Sequence, residues 1–125
     1  MTVDEIKEAA LFQSQNDIED IDDFRPVLAE YLDEAYDRLV YAYAGAHPAN
    51  DTDWPKIKAP GDVPLTPDWT HLSLVDWVTW RILSIGSPAK QQQGMVFRQQ
   101  FERDLLKAQE EGQGGRANHF INIPR

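Results

Sequence analysis

Cysteine is absent from this 125-residue chain, which excludes both a disulfide framework and a thiolate metal site. Such a composition fits a reducing compartment such as the cytosol. Missing too is any apolar run near the roughly 20 residues that span a bilayer. Met1-Thr2-Val3-Asp4-Glu5 shows no basic stretch leading into an apolar one, so no signal peptide is read there. There is no internal repeat. Histidine is scarce: His47, His71 and His119 are far apart, and none has the i+4 partner of a zinc-binding helix. The acidic runs Asp17–Asp23 and Asp51-Thr52-Asp53 lack the glycine and later bidentate glutamate of a calcium loop. Ser14, Ser73, Ser84 and Ser87 have no nucleophile-elbow context. Gly112-Gln113-Gly114-Gly115 follows a predicted helix and precedes no lysine-capped one, so it is not a phosphate loop. No catalytic set, cofactor or metal is expected, and the chain is not read as an enzyme.

What is present is a one-domain length with enough apolar material for a core: 42% hydrophobic residues and 10% aromatic. A chain of this size buries about two-thirds of its unfolded surface and can fold alone. The net charge of −9 is unevenly spread. Residues 1–38 carry twelve acidic and three basic side chains, whereas residues 88–125 carry four and six. An acidic first half makes a poor duplex-DNA binder, because phosphate affinity comes from Lys and Arg. The asymmetry allows head-to-tail association of copies through unlike faces. It also fits a plain solvated acidic surface.

The pattern predicts an all-α fold, a small bundle of about four helices with a long Pro-rich loop and an extended C-terminal arm. A first helix is predicted over Val3–Phe12, opened by a Thr2/Glu5 capping box, with Ile6, Ala9, Ala10 and Phe12 on its apolar side. Ile18, Ile21 and Phe24 are apolar anchors spaced three apart among carboxylates. A second helix, about Arg25–Ala44, carries Leu28, Leu32, Ala35, Leu39 and Ala42 as its stripe. Tyr31, Val27 and Tyr43 widen the stripe, and Tyr36 lies off it. Gly45 is its stop.

Residues 46–66 form the loop, because four prolines in that stretch forbid a long helix. Loops of this length are functional or mobile in compact domains. Trp54, Ile57 and Val63 are its candidate anchors, and Pro60-Gly61 signals a turn that allows a short hairpin. Thr66-Pro67 then reads as cap and first position of a third helix. From Trp69 to Ile85, ten of seventeen residues are Trp, Leu, Val or Ile, spread round the helix, which implies burial on most faces. Asp76 and Arg81 stand five apart and do not pair with each other. Gly86 stops that helix. Ser87-Pro88 opens a fourth, with Phe97, Phe101, Leu105 and Ala108 on one side and Lys90, Arg98, Arg103 and Lys107 making it basic. Gly112–Gly115 is expected to end it. The domain is thus 1–111, with 112–125 as a flexible arm.

Two groups of residues are candidates for partner contact. Trp69, Trp77 and Trp80 share a helix, and their aromatic surplus serves either the core or an interface hot spot. In the tail, Phe120, Ile121 and Ile123 are bulky and apolar, and suit docking on a partner's edge or pocket.

Three stretches carry a likeness to a known family: Pro26-Val-Leu-Ala-Glu-Tyr-Leu-Asp-Glu-Ala-Tyr-Asp-Arg-Leu39, Leu74-Val-Asp-Trp-Val-Thr-Trp-Arg-Ile-Leu83, and Lys90-Gln-Gln-Gln-Gly-Met-Val-Phe-Arg-Gln-Gln-Phe-Glu-Arg-Asp-Leu-Leu106. In order and pattern the chain resembles the small helical head–tail connector (adaptor) proteins of tailed bacteriophages over about residues 3–110. Trp77, Trp80 and Arg81 match that family's buried helix ending in aromatic-x-x-aromatic-Arg. Phe97 and Phe101 match the aromatic pair of the helix that follows. The long loop departs from the family pattern.

The resemblance implies a virion protein, assembled in the host cytoplasm, that forms a homo-oligomeric ring, commonly of twelve copies. The portal protein would lie on one side and a stopper or tail-completion protein on the other, with DNA passing through unbound. It also implies roles for particular residues. Arg116, His119, Phe120, Ile121, Ile123 and Arg125 of the arm are the candidate portal contacts. Trp54, Trp77, Trp80, Arg98 and Arg103 are the subunit-interface candidates, and Asp33, Glu34 and Asp37 the lumen candidates. The competing reading is an acidic helical adaptor or regulator, monomeric or dimeric, of a host or prophage protein.

Overall fold

The computed structural model describes residues 1–14, 21–44, 61–64 and 66–121, with side chains over 1–14, 24–43, 61–64 and 66–111. The fold is all-α. Four helices, α1 (Val3–Ser14), α2 (Leu28–Ala44), α3 (Thr70–Leu83) and α4 (Pro88–Ile121), are joined with one 3-10 segment, Ile21–Val27, ahead of α2. Among the described residues there is no strand.

The expected capping box opens α1. Thr2 N–H donates to Glu5 Oε1 at 3.0 Å, and Glu5 N–H donates to Thr2 Oγ1 at 3.2 Å. Hydrogen bonding from the Thr2 N–H, and then from its hydroxyl, holds the exposed Glu5 carboxyl below its ordinary value. The helix runs two residues past its expected end, and Ser14 Oγ returns to Ala10 O at 2.9 Å. Its inner face is Val3, Ile6, Ala10 and Leu11. Phe12, expected on that face, is instead 70% exposed, because Leu11 takes the inward position beside Ala10.

The second helix begins at Leu28 rather than Arg25. Pro26 has no N–H to give and disfavours α geometry at the residue before it, so the chain takes a 3-10 entry. Leu28, Leu32, Ala35 and Leu39 are buried as their spacing requires. Tyr36 is buried as well, at 2% exposure. Although it lies off the stripe, it is covered because α2 packs chiefly on two helices, α3 and α4, which widens the covered arc beyond one stripe.

Ten of the fourteen residues of α3 are buried, and α1, α2 and α4 all pack on it. It is therefore the central helix. It starts at Thr70, not at Pro67, and no side chain caps it. Thr66, the expected cap, points inward and meets Thr70 Oγ1 at 2.6 Å. Pro67 and Asp68 make a tighter turn instead, accepting from the N–H groups of Thr70 at 2.9 Å and His71 at 3.1 Å.

A short break follows, with Gly86 N–H on Leu83 O at 3.1 Å. The fourth helix then starts as expected at Ser87-Pro88: Gln91 N–H reaches Ser87 O at 2.9 Å and Lys90 N–H reaches Ser87 Oγ at 3.5 Å. Gly94 lets α4 approach α3 closely, since a Cβ there would stand 3.0 Å from Leu83 Cβ and 3.4 Å from Trp80 Cδ1. The helical backbone continues through Gly112–Gly115 to Ile121. The expected boundary at residue 111 is thus not a backbone break. A glycine costs about 1 kcal/mol against alanine inside a helix, which weakens it without forcing a stop.

The end of the loop is tied to the body. Val3 N–H donates to Asp62 O at 2.8 Å, and His71 Nε2 lies 3.2 Å from Pro64 O. Val63 is exposed and does not anchor the loop as expected. Trp54, Ile57 and Pro60, and with them the hairpin reading and the Gly45 stop, lie outside the described residues.

Candidate functional site

The described chemistry gathers at two seams of α3. The first is aromatic and basic, at the junction of α2, α3 and α4. Trp77 and Trp80 stand one turn apart, with ring centroids 4.7 Å apart at 61°. Phe101 from α4 packs on Trp77 at 4.8 Å. Guanidinium groups lie over the rings: Arg38 over Trp77 at 4.7 Å, Arg81 over Tyr31 at 4.6 Å, and Arg98 over Trp80 at 4.6 Å. Such contacts are worth about 0.5–2 kcal/mol each.

Glu34 closes this seam. Trp77 Nε1 donates to its Oε2 at 3.2 Å, and Arg81 Nη2 donates to its Oε1 at 3.3 Å. Arg81 Nε is also 3.2 Å from Oε2 but is not aligned as a hydrogen bond, so it remains buried without an acceptor. Arg81 therefore finds its partner on α2 and not at Asp76, as the five-residue spacing had indicated.

The second seam is acidic, where α3 meets α4 on another side. Ser73 Oγ donates to Asp104 Oδ2, and Gln100 Nε2 donates to Asp104 Oδ1 at 3.0 Å. Asp76 faces the same carboxylate. Its pKa is pushed up to about 6, first by burial and then by the charge of Asp104. Sequence reasoning missed this pair because the two residues lie on different helices, and only the antiparallel register of α3 and α4 brings them together. At the far end of that register, Lys107 Nζ lies 4.2 Å over the Trp69 ring, and Trp69 Nε1 donates to Glu111 at 3.2 Å.

The sequence candidates divide accordingly. Trp77 is 5% exposed, covered by its own chain, and belongs to the core rather than to an interface. Trp80 and Arg98 are half-buried and Arg103 is exposed, with Arg103 Nη2 on Gln100 Oε1 at 2.9 Å. Asp33 and Asp37 are exposed on α2, but Glu34 is half-buried and engaged by Trp77 and Arg81, so it does not present a charge outward as a lumen residue would. Trp54, Ile123 and Arg125 lie outside the described residues, as do the side chains of Arg116, His119, Phe120 and Ile121.

His71 is buried, with Nδ1 2.8 Å from the amino group of Met1. No group of three or more His, Asp or Glu side chains able to hold a metal occurs among the described residues. No described helix is long and apolar enough to cross a membrane. Comparison with protein-family models, with curated proteins and with solved structures finds no match for the chain.

Proposed function

We propose that this chain is a structural connector of a tailed phage: a subunit of a ring between the portal and the tail-side proteins. The observation that carries the reading is how the two elements of the resemblance meet. Trp77, Trp80 and Arg81 of α3 and Arg98 and Phe101 of α4 form one stacked cluster, so the matching residues act as a unit of structure. The cluster is a rigid platform with half-buried Trp80 and Arg98 at its edge, the residue types enriched in interface hot spots. Chemistry plays no part in this role. The chain works by lateral contact, and its exposed Asp33 and Asp37 face the channel, where like charge keeps DNA from sticking. The arm, residues 112–125, docks on the portal.

Native mass spectrometry of the chain with and without a candidate tailed-phage portal protein tests the reading. A discrete high-order oligomer, alone or on the portal, is the expected result. A monomer or dimer in both samples would overturn it in favour of an acidic adaptor of another protein. Deleting Gly112–Arg125 is expected to leave a folded helical protein that no longer joins the portal.

A further inference from the structure

The helix α4 is one backbone element made of two unlike parts. Over its first part, Gly94, Phe101 and Ala108 are buried at a spacing of seven, and α3 and α2 both pack on the helix. Burial of that kind holds most helices in proteins, because propensity alone leaves short ones marginal in water. The groove that provides it ends near residue 111. Ser73 of α3 meets Asp104, and Trp69, one residue before α3 begins, meets Lys107 and Glu111. The antiparallel register therefore uses up α3 at Glu111. From Gly112 the helical backbone runs on to Ile121. At 1.5 Å per residue that is about 15 Å beyond the start of the helix it packs on.

The weakest helix-forming run of α4 stands at that exit. Gly112, Gly114 and Gly115 are three of the first four residues past the groove. Each weighs roughly fivefold against helix relative to alanine, so the three together weigh on the order of a hundredfold. Gly94 has a packing reason, since it lets α4 close on α3. Closeness to α3 cannot be the reason at 112–115, where α3 no longer runs alongside. Backbone and sequence thus pull in opposite directions at one joint.

We propose, on the reading that the arm docks on a portal, that the docked form of residues 112–121 is a continuation of α4, and that Gly112–Gly115 is a joint at which the free arm leaves the helix. A partner that holds the helical form selects it from the two. The arm then enters a groove as a helix rather than adding a strand to an edge, which requires extended backbone. The glycines keep the attachment reversible, because the fraction of chains with a helical arm scales the apparent affinity.

The test uses the full chain in three forms: unsubstituted, the triple variant Gly112→Ala/Gly114→Ala/Gly115→Ala, and Gly114→Pro, which cannot continue a helix. Amide hydrogen exchange reads the joint in each free chain. Binding to a candidate tailed-phage portal protein reads the docked form. In the unsubstituted chain, residues 112–121 are expected to exchange faster than residues 100–108, and to slow in the triple variant by roughly ten- to a hundredfold. The triple variant is expected to bind the portal more tightly, by up to the same factor, and Gly114→Pro more weakly. Exchange over residues 88–108 should be unchanged in both, which shows that the body is folded. Equal protection from residue 100 to residue 121 in the unsubstituted chain would overturn the joint. A triple variant that gains protection yet binds the portal more weakly would overturn the helical docked form. A portal that binds none of the three forms, with exchange as expected, would sink the portal reading and the docked form with it, and would keep the joint.

Discussion

The two seams of α3 handle charge in opposite ways. At the aromatic seam, Glu34 meets Arg81 and the Trp77 indole, and Arg38 lies over the Trp77 ring, so the ionised groups there face opposite charge or a polarizable ring. At the acidic seam, Asp76 and Asp104 face each other, and the donors present, Ser73 and Gln100, both serve Asp104. One seam stabilises the helix register at neutral pH, and the other loosens it. Burial is the larger cost to the Asp76 charge, and the like charge of Asp104 adds to it, whereas at the aromatic seam Arg81 brings a counter-charge to Glu34.

The contrast can be broken most violently at Trp77. Trp77→Ala removes the ring that joins Trp80, Phe101, Arg38 and Glu34, and is expected to cost about 3–5 kcal/mol in chemical denaturation. Glu34→Ala is expected to cost less, about 1–2 kcal/mol, because it leaves the Trp77 and Arg81 donors to find water in a half-buried site. Glu34→Gln, which keeps an acceptor, is expected to fall between Glu34→Ala and the unsubstituted chain. A Glu34→Ala protein as stable as its parent would mean the seam is held by stacking alone.

The acidic seam is expected to respond with the opposite sign. With its pKa raised from the ordinary 3.8 to about 6, Asp76 binds a proton more tightly in the folded chain than in the unfolded one. Folding takes up that proton between about pH 4 and pH 6. Stability from this group is therefore present at acid pH and lost as pH rises through that window. Asp76→Asn is expected to stabilise the protein by about 1–2 kcal/mol at pH 7 and to have little effect at pH 4. Thermal melts at the two pH values check it, and equal gains at both would show that the carboxyl pair is not the cause. Smallest of all, Ser73→Ala should cost under about 1 kcal/mol at pH 7. Its cost should shift when Asp76→Asn is also present, since neighbours on one carboxylate are not additive.

Signals confined to one helix were legible in the sequence. Thr2 with Glu5, Ser87 with Pro88, the Leu28–Leu39 stripe and the all-round burial of α3 each follow from local chemistry or a short period. Features set by two helices at once were not. Tyr36 is buried because α2 has two neighbours, and Phe12 is exposed because Leu11 points inward instead. Glu34 reaches Arg81, and Asp76 reaches Asp104, across distances in sequence that no periodicity spans. Thr66-Pro67 showed a start signal, but Thr66's hydroxyl was worth more on Thr70 in the interior than as a cap. For the candidate site, the residue types were legible and their partners were not.

His71 fastens three strangers in sequence at one point. Its ring holds the Met1 amino group and stands against the Pro64 carbonyl, while next to it Val3 takes the Asp62 carbonyl. Asp62 and Pro64 are thereby riveted to α1 and α3. A load applied at these two residues would not be spent on a slack tether. It would arrive within one hydrogen bond at α1, and through the imidazole at the central helix on which the other helices pack.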